Sequence, residues 1–264
     1  MGHDFIETRG QRFNPIPSLF TLCNAICGFT AIALVMGAYA RGAVIPPLAL
    51  WLIFIAMLFD VLDGLIARLL DVPSMHGMNL DSLADAISFG AAPAIFIYAL
   101  GIHSVVAHSI PSIVVRLLAG LYLCCALWRL ALYNTRAILE QEKEDKVMFV
   151  GLPSPAAAAM VCCMVWLLPK LVPAEQMQFY TYVIYTLVAS LLMISTTPYP
   201  HLRNLMSNWP KWLLILLGLF AAFLIYQFSF VSIIFVAHFY IISTPLADGI
   251  SKIRKKLFHK NITP

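Results

Sequence analysis

Across residues 60–85 the sequence sets Asp60, Asp63, Asp81 and Asp85 at helical spacings among long apolar runs. An ionised carboxylate at the centre of a membrane helix costs roughly 2.5–3.5 kcal/mol on insertion scales. Four of them in one helix–turn–helix therefore require partners that stabilise negative charge. Asp60 and Asp63 are spaced i, i+3 and Asp81 and Asp85 i, i+4, so each pair shares one face of a helix. Two helices meeting on those faces gather four carboxylates, the hard oxygen ligands that bind Mg²⁺ or Mn²⁺. Gly64 and Ala67 leave the helix beside the acids free of bulk, so a ligand or a neighbouring helix can come close. Arg68 adds a fork of donors suited to phosphate, and Gly77, after the break at Pro73, lets the chain turn back into the membrane. Carboxylates, metal and a phosphate-binding arginine together point to transfer at phosphorus. A polar helix–helix network or a cation relay would also keep intramembrane acids, but neither needs Gly-x2-Ala-Arg between them.

The elements that must position these residues are membrane helices. With 61% hydrophobic residues, 11% charged residues and a mean hydropathy of +0.85, the 264 residues describe an all-α, polytopic integral membrane protein. Eight spans are expected, at about 18–39, 44–69, 80–100, 110–132, 152–168, 179–194, 212–226 and 230–242. The second carries Asp60 to Arg68 at its end and the third Asp81 and Asp85 at its start, which puts the acids on one membrane side. The chain divides into a cytoplasmic segment at 1–14, one transmembrane catalytic domain at 15–248 and a basic cytoplasmic tail at 249–264. Residues 135–148 form the most charged connection. Eight spans place 14 of the 17 Lys and Arg residues on the side of the termini, so the positive-inside rule makes the termini and the acids cytoplasmic, in a cell membrane. A net charge of +4 without basic residues interleaved with aromatics argues against nucleic-acid binding. The six cysteines all lie in apolar runs without metal-ligand spacing and read as small buried hydrophobes.

The spacing Asp60-x2-Asp63-Gly64-x2-Ala67-Arg68-x8-Gly77-x3-Asp81-x3-Asp85 resembles the signature of the CDP-alcohol phosphatidyltransferase family at every position. The resemblance implies a membrane enzyme that releases CMP from a CDP-linked lipid or alcohol. It also implies two divalent cations, Mg²⁺ or Mn²⁺, on Asp60, Asp63, Asp81 and Asp85. Asp85 would be the general base on the acceptor hydroxyl; spacing alone does not choose it over the other three. Gly64, Ala67, Arg68 and Gly77 would face the CDP-diacylglycerol, with Ser74 as a further phosphate contact. Thr21, Asn24 and Gly28, at i, i+3 and i+7 in the first span, either face the nucleotide or let helices pack closely.

Three further stretches resemble the bacterial and archaeal phosphatidylserine synthases of this family. They are Ile16-Pro-Ser-Leu-Phe20-Thr-Leu-Cys-Asn24 with Gly28, Arg129-Leu-Ala-Leu-Tyr-Asn134, and Phe149-Val-Gly151-Leu-Pro153-Ser-Pro155. That likeness implies L-serine as acceptor, with Arg129 as partner of its carboxylate and Asn134, Gly151 and Pro153 shaping the pocket. Where the subfamily often has a second arginine, this chain has Leu132. Glycerol 3-phosphate, an inositol compound or choline are alternative acceptors within the same chemistry, and a cation transporter is the alternative outside it. The family is commonly homodimeric, so a homodimer in contact with membrane lipids is expected.

Overall fold

The computed structural model describes residues 15–70, 75–108, 112–142, 151–172 and 175–195; for Pro15, 68, 69, 103–108, 136–142, 175 and 176 it describes the backbone alone. All regular structure among them is helical: α1 (Pro15–Ala40), α2 (Pro47–Leu69), α3 (Met75–Asp85), a π-helical segment (Ala86–Ala91), α4 (Ala92–His108), α5 (Ser112–Glu142), α6 (Ser154–Leu171) and α7 (Glu175–Ile194). Six rods are long and apolar enough to cross a bilayer, because α3, the π segment and α4 run on as one. They correspond to the first six expected spans. The spans expected at 212–226 and 230–242, the basic tail, the segment at 1–14 and Ser74 lie outside the described residues.

Apolar side chains occupy both the interior and the outer face, as suits a bundle surrounded by lipid. Small residues such as Ala31, Ala49, Ala56, Ala92, Ala157 and Ala158 fill the interior, while Leu19, Phe29, Leu58, Val61, Leu117 and Leu191 point outward. Lipid tails are as apolar as leucine, so helix association rests on close approach and interhelical hydrogen bonds. The protein is an integral membrane protein.

Helices α1 and α2 form a hairpin that sets the register of the acid-bearing end. Gly42, with φ of +63°, closes α1 in a left-handed cap. Its N–H reaches Tyr39 O at 3.0 Å and that of Ala43 reaches Ala38 O at 2.9 Å, which satisfies the terminal carbonyls. The chain then returns along α1 as α2, bringing Asp60 and Asp63 back beside the first turns of α1.

Two expectations change. The charged connection begins later than 135, because α5 runs on to Glu142; Glu140, Gln141 and Glu142 are good helix formers and extend an established helix at little cost. Cys124 is exposed on the outer face of α5, although Cys125, Cys162 and Cys163 are buried. Adjacent helical positions point about 100° apart, so on α5, which is less enclosed than α6, Cys124 turns outward while Cys125 turns inward.

Candidate active site

The acids arrive from two helices. Asp60 and Asp63 project from the last three turns of α2 and Asp81 and Asp85 from α3. One carboxylate oxygen each of Asp60, Asp63 and Asp81 lies within 4.8 Å of the other two. Asp63 is 5% exposed, and Asp63 Oδ2 and Asp81 Oδ1 are buried without a hydrogen-bond partner. Buried anionic oxygens without donors are unfavourable unless a cation meets them. The donor set fits a hard divalent cation.

Asp85 stands outside that group of three. Its Oδ1 accepts a hydrogen bond from Asn24 Nδ2 at 3.1 Å, a link between residues 61 positions apart. Asn24 is fully buried, and its backbone carbonyl accepts from Ser88 Oγ at 2.9 Å. Gly28 makes the approach of α1 possible: a Cβ there would lie 2.6 Å from Ser88 Cα. Of the two readings of Thr21, Asn24 and Gly28, close packing holds for Gly28, while Asn24 is held against an acid. Thr21 is nearly buried, donates to Pro17 O at 3.2 Å and stands beside the Asp63 carboxylate.

The π segment begins directly after Asp85. One extra residue per turn changes which side chains face α1, and such segments recur at functional sites. Here it turns Ser88, Phe89 and Gly90 inward, and Tyr122 of α5 donates to Phe89 O at 3.2 Å.

Arg129 of α5 completes the polar end. Its Nη1 donates to Ser154 Oγ at 2.5 Å, and its charge acts on both Asp60 and Asp85. Asn134 lies one flank away, accepting from Ser82 Oγ at 2.8 Å and tying α5 to α3. A groove of about 380 Å³ runs along that flank between Ser82, Ala86, Leu130 and Asn134. Gly151, with φ of +94°, and Pro153 belong to the turn before α6 rather than to the acid cluster. Gly64 and Ala67 lie on the acid-bearing stretch of α2 and are partly exposed; Gly77 is in the first turn of α3. Arg68 continues α2, its side chain outside the description.

Sequence reasoning passed over Ser154, Ser82 and Ser88. The Pro-Ser-Pro setting of Ser154 was a signal for a helix start, but nothing in the spacing joined it to Arg129.

Residues 14–195 match the model of the CDP-alcohol phosphatidyltransferase family. A CDP-diacylglycerol--serine O-phosphatidyltransferase of Helicobacter pylori is 30% identical over 213 residues, covering 80% of this chain and 83% of that protein. One of Bacillus subtilis, with the same name, is 32% identical, covering 72% of this chain and 93% of that protein. An archaetidylserine synthase of Methanothermobacter thermautotrophicus is 30% identical, covering 73% and 72%.

Proposed function

The chain belongs to the CDP-alcohol phosphatidyltransferase family, and we propose that within it this protein transfers a phosphatidyl group from CDP-diacylglycerol to L-serine, giving phosphatidylserine and CMP. The observation that carries the chemistry is the trio Asp60, Asp63 and Asp81, with two buried carboxylate oxygens that lack donors. The acceptor is supported by relatives named for serine over most of their length.

Asp60, Asp63, Asp81 and Asp85 would hold two divalent cations, Mg²⁺ or Mn²⁺. Bound there, the ions supply neutralisation of the diphosphate and of the charge that develops on the departing CMP. Gly64, Ala67 and Gly77 leave room for the CDP moiety against α2 and α3, and Arg68 and Ser74 contact its phosphates. Thr21 lines the same space from α1. Asp85, oriented by Asn24, accepts the proton of the serine hydroxyl. The hydroxyl oxygen forms a bond to the lipid-bearing phosphorus as the bond from that phosphorus to the CMP phosphate oxygen breaks. CMP leaves with the electron pair. Arg129 pairs with the serine carboxylate, while Asn134, Gly151 and Pro153 shape its surroundings through the α3–α5 link and the turn before α6. The acids face the cytoplasm, as do both termini, and the protein works as a homodimer.

The decisive experiment measures CMP release by purified protein from CDP-diacylglycerol with Mn²⁺ or Mg²⁺, with and without L-serine, alongside Asp85→Asn. Serine-dependent release that falls by roughly 10²–10⁴ in Asp85→Asn is the expected result. Release only with glycerol 3-phosphate, an inositol compound or choline would keep the family and discard serine. Cation flux across sealed vesicles without metal-dependent CMP release would favour a transporter.

A further inference from the structure

Arg129 is oddly placed for a residue that serves stability alone. An arginine near the end of a membrane helix ordinarily extends toward the interface, yet this one turns inward to the first turn of α6. The N-terminus of a helix carries partial positive charge and disfavours a cation. The Asp60 and Asp85 carboxyl groups lie near enough to interact with the guanidinium charge, and the fully buried Ser154 hydroxyl receives Arg129 Nη1.

That hydroxyl is a fixed point. Pro153 and Pro155 flank Ser154 and restrict the backbone on both sides. The turn before it is latched to the end of α7: Leu152 N–H donates to Leu192 O at 2.9 Å. Gly151 lies so close that a Cβ would be 2.5 Å from Met193 O and 3.1 Å from Ser195 O. The end of α7 thus locates Ser154, and Ser154 locates one donor of a planar five-donor fork.

We infer that Ser154 is a positioning residue for the acceptor site, holding the Arg129 guanidinium so that it faces the acid cluster. The inference rests on the proposed reaction, in which Arg129 receives the acceptor. Losing the hydroxyl removes one of the contacts that orient the guanidinium while its charge stays beside Asp60 and Asp85, so the loss falls on acceptor affinity more than on the chemical step.

The test is a double-mutant cycle on the full chain in detergent or vesicles, using Ser154→Ala, Arg129→Lys and the double variant. KM for L-serine, KM for CDP-diacylglycerol and kcat are read for each. Ser154→Ala should raise KM for serine about tenfold, the scale of a lost hydrogen bond to a charged group, with the other two constants unchanged. In the Arg129→Lys background the same substitution should change KM for serine less than about twofold, because coupled residues are not additive. Ser154→Thr, which keeps the hydroxyl, should restore most of the affinity. Equal effects in both backgrounds, or a fall in kcat with KM for serine unmoved, would overturn the assignment. If Ser154→Ala does not accumulate, Ser154→Cys keeps the volume while weakening the bond and carries the same comparison. If wild-type protein uses a different alcohol, the serine reading falls and the cycle is run on that alcohol to decide Ser154. No CMP release with any alcohol overturns both.

Discussion

The acid-bearing end of the bundle and the interior face of α7 both hold buried polar atoms without partners, and they differ in charge. At the acid end these are the carboxylate oxygens Asp63 Oδ2 and Asp81 Oδ1 beside the neutral Asn24 Oδ1; on α7 they are the hydroxyls Tyr182 Oη and Thr186 Oγ1. A neutral hydroxyl without a partner costs a few kcal/mol at most, whereas an anionic oxygen in the same state costs far more. The α7 hydroxyls are tolerable as packing groups, and the carboxylate oxygens call for a cation. A second contrast runs alongside. Thr30, Thr135, Thr181 and Ser190 donate to the carbonyl four residues back on their own helices. Near the acids, Asn24, Ser82, Ser88 and Arg129 reach across to other helices. Local back-bonding quiets a hydroxyl in lipid; a bond between helices fixes relative position.

The largest effect is expected at the acids. Asp81→Asn should lower CMP release by about 10³-fold or more by removing a ligand oxygen, while the melting temperature without metal stays level or rises. Chelation of divalent ions should abolish wild-type release, and Mn²⁺ or Mg²⁺ should restore it. Activity that persists through chelation would break the contrast between the two ends.

Asn24→Ala comes next. It removes the donor to Asp85 Oδ1 and should slow kcat by roughly ten- to a hundredfold, the range for a lost hydrogen bond to a charged group. A variant that shifts only the KM for CDP-diacylglycerol would make Asn24 a substrate contact instead.

Gly28→Leu should destabilise the protein by about 1–3 kcal/mol, because the added carbons meet the backbone at Ser88. Chemical denaturation in mild detergent would register it, and unchanged stability would mean that α1 can move away from the π segment freely.

The smallest change belongs to Thr186→Val. Replacing a buried, unpartnered hydroxyl by a methyl of similar shape should alter stability by less than about 1 kcal/mol, or improve it. A loss of activity there would show that the α7 interior takes part in function and dissolve the comparison.

Much of this was legible in the residues themselves. Helical periodicity puts Asp60 with Asp63 and Asp81 with Asp85 on shared faces whatever the packing, and apolar run length marks the six described spans. The tertiary structure alone decided that three acids group while Asp85 turns to Asn24, that a π segment follows Asp85, and that Ser154 receives Arg129. The physical reason is one of range. Periodicity acts over one or two turns, within a single helix. Asn24 and Asp85 are 61 residues apart and Arg129 and Ser154 are 25 apart, so their meeting depends on how helices pack, which small residues such as Gly28 permit and no spacing rule encodes.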